Sequence, residues 1–406
     1  MKNKITVIDS IMGSGKTSWA KQYMRENTNK KFLFITPYLD QIESLMKDDV
    51  INVITPDDKE TGSKLRDFKN IIRDNPRIVA TTHSLFLSFD EECQRLVEGY
   101  TLIIDETPDL LDLETISSDE IRILLDSGAI KIEDQKVYLT NKYQIYTLLS
   151  ELISKIKANK ISCYQDSVFI EQPSPNIFRS FDNIIILTYM FEASIFCCYL
   201  EYYGFEYNKK SIVDEKIAQY KYEDGSTYKN MIHIYTGNLN TNISQKYSAL
   251  SKTWFDNTDN KNAIKKLKNN IYNYFRNISD KTSSQRMWTS FKNYQHKLEG
   301  KGYTKAFVAC NARASNEYSD RTDLAYCLNR YINPVIKNLY LKSGIIIEED
   351  EFALSQMLQW IWRSAIRKNP AQPISIYIPS IRMRTLLYRW LGYSDHEISE
   401  MELNQH

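Results

Sequence analysis

Residues 5–17, ITVIDSIMGSGKT, constrain this chain more than any other stretch. Apolar and β-branched residues run from Ile5 to Ile8, with Ile11 just beyond, and a short loop then ends in Gly15-Lys16-Thr17. An amphipathic stretch follows over residues 18–24. A strand, a glycine-bearing loop and a helix in that order make an anion site. The main-chain N–H groups of Gly13, Ser14, Gly15 and Lys16 turn inward, and the helix N-terminus adds partial positive charge. Lys16 is placed to reach β- and γ-phosphates and the Thr17 hydroxyl to ligate Mg²⁺, with Ser18 completing the phosphate-binding set. The usual pattern has glycine five residues before Gly15, where this chain has Ser10. GSGKT nevertheless keeps every residue that touches phosphate.

The same logic requires an acidic partner. Residues 100–104, YTLII, run as an apolar strand into Asp105-Glu106-Thr107-Pro108. Asp105 is expected to hold Mg²⁺ through water, and Glu106 to polarise the water that attacks the γ-phosphate. In a doubly wound sheet both motifs lie at the carboxyl edge and can meet. The acidic pair favours hydrolysis by water over phosphate transfer to another substrate.

With 406 residues the chain is long enough for two or three cores. A net charge of +1 gives no overall field for nucleic acid, so any such binding rests on a local basic groove. Six scattered cysteines with no C-x-x-C pair point to reduced thiols rather than disulfides or zinc. No apolar run approaches the ~20 residues of a membrane span. With nine residues before the loop, no leader peptide is expected.

Further strands are expected at residues 31–36, 50–54, 77–81 and 183–188, alternating with helical stretches, which implies a parallel sheet. Residues 116–125 and 141–158 have helical periodicity around a hairpin-like segment at 129–140. The second half offers strands at 230–235, 285–291, 305–310 and 374–378, and helices at 255–280, 352–367 and 382–391. The fold expected is α/β: two RecA-like parallel-sheet domains in tandem, at 1–205 and 206–406, with a mostly helical insertion at about 110–180.

Taken in order, SIMGSGKT, TPY, ATTHS, DETP, LTYMFEAS, MWTSFK, ACNARASNEY and QWIWRSAIR resemble the motif series of superfamily-two helicases of the DEAD/DEAH-like group, in a phage or mobile-element branch. The resemblance implies ATP and Mg²⁺ bound in a cleft between two RecA-like domains. It implies that Thr36, Pro37, Thr82 and His83 face a nucleic-acid backbone and that Thr188 couples hydrolysis to strand movement. It sets Trp288, Thr289, Asn311, Arg313 and Asn316 on the second domain's side. It assigns Gln359, Arg363 and Arg367 to the γ-phosphate, one arginine acting as a finger. At i, i+4 and i+8 these three share roughly one face of a helix. The family pattern has its second arginine where Ile366 stands, so the finger is either Arg363 or Arg367. The upstream adenine-reading element of DEAD-box proteins is expected to be missing.

The function implied is an ATP-dependent helicase or translocase on nucleic acid, DNA favoured over RNA, in a host cytoplasm, working with replication or recombination proteins and no membrane. Two alternatives share the phosphate loop: a terminase-type packaging motor, which adds a nuclease with clustered carboxylates, and a nucleotide-switched loader that does not unwind. Aromatic residues make up 12 % of the chain and can stack on bases in a basic groove, or pack a core.

Overall fold

The computed structural model describes residues 4–403, apart from 38, 48–50, 141–149, 166, 242, 244–245 and 311–315. The chain divides into two compact units. The first comprises Met1–Ser10, Gly15–Tyr220 and Pro334–Ile347, and the second Ile11–Ser14, Lys221–Asn333 and Glu348–His406.

The first unit begins with β1 (Lys4–Asp9), α1 (Lys16–Glu26), β2 (Lys31–Thr36), α2 (Leu39–Met46), β3 (Ile78–Thr82) and β4 (Tyr100–Asp105). An insertion follows, with β5 (Asp112–Leu113), β6 (Ile130–Glu133), β7 (Lys136–Leu139), β8 (Ile161–Tyr164) and β9 (Val168–Glu171). The chain then returns through β10 (Asn183–Thr188), α3 (Ile195–Tyr202), β11 (Tyr207–Val213) and β12 (Lys216–Gln219).

The main sheet has seven strands in the order β12-β11-β1-β10-β4-β2-β3, all parallel except β12. Its strands are apolar on both faces because helices cover both. Alternate residues accordingly enter two separate cores. Val7, Leu33 and Ile35 join the cluster around Phe86 and Phe178. Ile8, Phe32 and Phe34 join the one around Met24 and Ile42. The strand expected at 50–54 is reduced to a bridge between Ile54 and Val79, with Val50 outside the described residues.

The insertion contains the expected hairpin, as β6 and β7, and helices at Ser118–Asp126 and Ser150–Lys157. Residues 141–149 of the second helical stretch lie outside the described residues. A five-stranded antiparallel sheet, β5-β9-β8-β7-β6, organises the insertion, and the helical reading did not contain it. Lys155 ties helix to sheet through Glu114 at 2.9 Å and Glu171 at 2.8 Å.

The second unit is built on β13 (Ile232–Ile234), β14 (Arg286–Thr289), β15 (Asp323–Tyr326) and β16 (Ile374–Tyr377), a parallel sheet in the order β13-β16-β15-β14. Its core is aromatic, with Trp254, Phe275, Trp288, Tyr303 and Tyr377 in one cluster. The strand expected at 305–310 is a short turn, Thr304–Ala306, followed by a single bridge from Phe307 to Trp288. Between β15 and β16 run α4 (Pro334–Lys342), whose residues belong to the first unit, and α5 (Glu349–Ile361). After β16 comes α6 (Ile381–Trp390). No helix among the described residues is long and apolar enough to cross a membrane.

Candidate nucleotide site

The parallel sheet brings the carboxyl ends of β1, β10, β4, β2 and β3 side by side. Asp9 and the motif residues Thr188, Asp105, Thr36 and Thr82 are the last residues of those five strands. Sequence positions more than a hundred apart therefore converge on one edge, where open α/β sheets place ligands.

The loop after β1 turns through Gly13 at φ 82° and Gly15 at φ 86°, both left-handed and easy for glycine alone. Lys16 begins α1 and is 8 % exposed; its Nζ donates to the main-chain oxygen of Ser10 at 2.5 Å. Ser10 accepts the N–H of Ile212 in β11 on its hydroxyl, at 2.7 Å. That bond gives the serine a task that glycine could not perform, and it is the physical reason for the departure at this position.

Thr17 Oγ1 donates to Asp105 Oδ1 at 3.4 Å, so the two expected metal ligands lie together. The other carboxylate oxygen, Oδ2, is buried and has no hydrogen-bond partner. Burial, and then the charge of Glu106, push the Asp105 carboxyl up to about 7, against the pull of Lys16, Gln41 and Thr17. A buried carboxylate with one unsatisfied oxygen, beside a threonine hydroxyl, suits a hard cation that takes its remaining ligands from water and phosphate. The Ser14 hydroxyl oxygen is likewise buried without a partner. Among the described residues no group of three or more His, Cys, Asp or Glu side chains gathers as an all-protein metal centre.

Glu106 follows with φ 63°, in the left-handed region that a glutamate adopts at a cost of order 1–3 kcal/mol. Its N–H donates to Leu187 of β10 at 2.9 Å, which holds that conformation. His83 Nε2 donates to the main-chain oxygen of Asp105 at 3.0 Å, linking the ATTHS and DETP segments. Thr82 caps the turn His83–Leu87 by accepting the Leu85 N–H. Thr36 is buried and its hydroxyl bonds Gln41 of α2, which also reaches Asp105. Pro37 is half-buried directly after β2, Ser18 is exposed on α1, and Thr188 is buried, its main-chain oxygen accepting the Ser10 N–H at 3.0 Å.

Two residues here were not singled out by sequence. Gln41 is one; the polar stretch around it carries no motif. The other is Asp9, whose carboxylate accepts Met190 N–H at 2.8 Å and Phe191 N–H at 3.1 Å, fixing Met190 at φ 57°. Asp9→Ala is expected to cost about 1–3 kcal/mol for each N–H left buried and unpaired, read from urea unfolding of the full chain. Burial raises the Asp9 carboxyl above its ordinary value. A folded pKa above the unfolded one means that this group's contribution is complete below the unfolded pKa and fades as pH rises through the folded one. The Ala variant should flatten that part of the stability–pH profile.

The expected residues of the second unit fall differently. Trp288 is fully enclosed, its Nε1 donating to Tyr303 O at 2.8 Å, so its ring has no free face for a base. Thr289 is also fully buried. The helix expected over 352–367 ends at Ile361, because Trp362 caps it and Ala365 N–H pairs instead with Arg321 O at 2.9 Å. Gln359, Arg363 and Arg367 therefore do not share one helical face. Gln359 is half-buried on α5. Arg363 is 6 % exposed and donates to Ala309 O at 3.1 Å, while Arg367 is exposed at the end of the turn Ala365–Arg367. Trp360 and Trp362 are both buried. Tyr38, Asn311, Arg313 and the side chain of Asn316 lie outside the described residues.

Comparison with known proteins follows this division. Residues 1–110 match the family described as type III restriction enzyme, res subunit. Residues 226–391 match the YonV C-terminal Rossmann-like domain. Across its length the chain is 40 % identical to the SPbeta prophage-derived uncharacterized protein YonV of Bacillus subtilis, covering 96 % of this chain and 98 % of that one. The chain belongs to the YonV family. Among solved structures it is similar to S. tokodaii Xpd4, with TM-score 0.51 and 13 % identity over 97 % of this chain and 95 % of that one. It is equally similar to an apo XPD structure, with TM-score 0.52 and 12 % identity over 97 % and 96 %. At such identity the likeness is one of fold. The expected DEAD/DEAH-like, phage-type resemblance thus holds, as a helicase-type scaffold in a prophage-related family.

Proposed function

We propose that this YonV-family chain is an ATP-hydrolysing motor that translocates along or unwinds nucleic acid, DNA in preference to RNA. One observation carries the reading: Thr17 and Asp105 Oδ1 meet at 3.4 Å beside Lys16, and Asp105 Oδ2 is buried and unsatisfied. ATP is the substrate, and Mg²⁺ when bound supplies charge neutralisation at its phosphates. Thr17 and Asp105 hold that ion, the loop N–H groups and Lys16 grip the phosphates, and Glu106 takes the proton of the attacking water. The helicase-type fold supports the nucleic-acid part of the reading.

The deciding experiment measures phosphate release with single-stranded DNA, duplex DNA and RNA, and then strand separation on a tailed duplex. A rise in turnover with single strands, and release of the displaced strand, is the expected result. Hydrolysis indifferent to every nucleic acid would defeat the motor reading. Arg367→Ala separates the two arginines. A finger arginine is worth roughly 10³-fold in turnover, and loss of the exposed Arg367 should show that drop with an unchanged melting temperature. Arg363→Ala should instead lower the melting temperature, because it strips the Ala309 carbonyl of its buried partner.

A further inference from the structure

The insertion meets α3 and α4 around a cleft of about 230 Å³ that the nucleotide site does not use. It continues into a narrower recess of about 90 Å³. Clefts that enclose drug-sized ligands run to roughly 300–1,000 Å³, so this one takes a single flat ring system. Tyr164 of β8, Tyr202 of α3 and Leu339 of α4 give it apolar walls, and Gln135, Gln165 and Lys342 give it polar ones. Lys342 Nζ sits 5.0 Å from the Tyr164 ring centre, and Tyr202 Oη lies 3.5 Å from Gln135 Oε1.

Two of these residues occupy backbone positions that glutamine seldom takes. Gln135 has φ 63° in the β6–β7 turn, and Gln165 has φ 52° just after β8. Glycine or asparagine suits a left-handed turn position more easily. Both glutamines lie at turns that border one cleft, which brings their amides to it. An amide carries both a donor and an acceptor. Two amides beside the half-buried Tyr202 ring match the edge and face of a nucleobase, and the lysine matches the phosphate attached to it. Among the described residues no carboxylate lines the larger cleft.

We propose that the cleft bounded by Tyr164, Tyr202, Gln135, Gln165 and Lys342 holds one base of a single-stranded nucleic acid, stacked on Tyr202 and contacted at its edges by the amides. This deepens the nucleic-acid reading above and rests on it. Because both amides can turn to match either donors or acceptors, the site tolerates any base.

The test is fluorescence anisotropy of the full chain with a labelled single-stranded oligodeoxynucleotide and with an abasic strand of equal length. The unmodified protein should favour the base-bearing strand. Stacking on one aromatic ring corresponds to roughly 5- to 150-fold in affinity, so Tyr202→Ala should lose most of that preference. Lys342→Ala should weaken both strands and lower the salt slope by about one phosphate contact. Lys342 is exposed, so this variant decides the matter if Tyr202→Ala does not fold. If both strands bind the folded variants as they bind the unmodified protein, the cleft assignment is overturned while the motor reading stands. Variants that lose only a protein partner, and bind both strands as before, overturn it equally. If the unmodified protein binds no strand at all, the nucleic-acid reading itself has failed and takes this site with it.

Discussion

Lys16→Ala is expected to reduce ATP turnover by at least about 10²–10³-fold without unfolding the first unit. The lysine sits in the first turn of α1, almost enclosed, and its amine rests 2.5 Å from the Ser10 carbonyl at the mouth of the loop. That bond is local and can be replaced by water, so its loss costs little stability. A triphosphate drawing the amine away from Ser10 would place a full positive charge at the β- and γ-oxygens, where charge develops in the transition state. Alanine offers nothing there. Glu106→Gln provides the contrast. It keeps the shape of the left-handed residue at φ 63° but removes the base, so turnover should fall while a fluorescent ATP analogue still binds. Lys16→Ala should weaken that binding as well. Steady-state phosphate release and analogue titration on the two variants check both statements. Unchanged turnover in Lys16→Ala would mean that hydrolysis occurs elsewhere.

What the sequence discloses and what it hides divide along physical lines. Phosphate binding needs particular residues at adjacent positions, so Gly13 to Ser18 are legible in isolation. Asp105-Glu106 becomes legible once that loop is known. Ser10, Asp9 and Gln41 owe their roles to strands or helices brought alongside by the fold, and no local pattern marks them. β15 escaped notice because four residues, Asp323–Tyr326, give too little alternation to stand out from the polar segment before them. The β11–β12 hairpin hides in a lysine-rich stretch that pairs at the edge of the first sheet. The stretch 352–367 reads as one helix by periodicity alone. Tertiary bonds end it at Ile361, Trp360 Nε1 donating to Val308 O at 3.0 Å and Ala365 N–H to Arg321 O. Tryptophans in a nucleic-acid enzyme invite a stacking role, yet Trp288 is needed in the aromatic core of its own unit.

Arg382→Met is expected to be the most destabilising single change in the second unit, by about 3 kcal/mol or more. Nothing in IRMRTLLYRW marks this arginine as different from a surface one, yet seven of the ten residues of α6 are buried, Arg382 and Arg384 among them. Cations enclosed in this way must find partners. Arg382 is 1 % exposed, and its guanidinium ties α6 to two separate segments, 329–331 and 349–350. Nε donates to Asp350 at 2.7 Å, Nη1 to Asn329 Oδ1 at 2.9 Å and Arg330 O at 2.7 Å, and Nη2 to Glu349 O at 3.0 Å. The Tyr331 ring lies 4.3 Å from its central carbon. Methionine fills the volume but orphans two main-chain carbonyls and the Asn329 amide oxygen. Arg382→Lys should recover only a small part of the loss, because a point charge cannot serve a planar fork of donors. Asp350→Asn should cost under about 1 kcal/mol, since that carboxylate is half-exposed and water can take its place. Trp254, Trp288, Trp360, Trp362 and Trp390 all lie buried in this unit. Urea unfolding followed by tryptophan emission therefore reads the second unit above all. The ordering expected is Met, then Lys, then the Asn variant in decreasing loss. An Arg382→Met protein as stable as the unmodified chain would show that the guanidinium network is decoration, and that the aromatic core alone holds the unit.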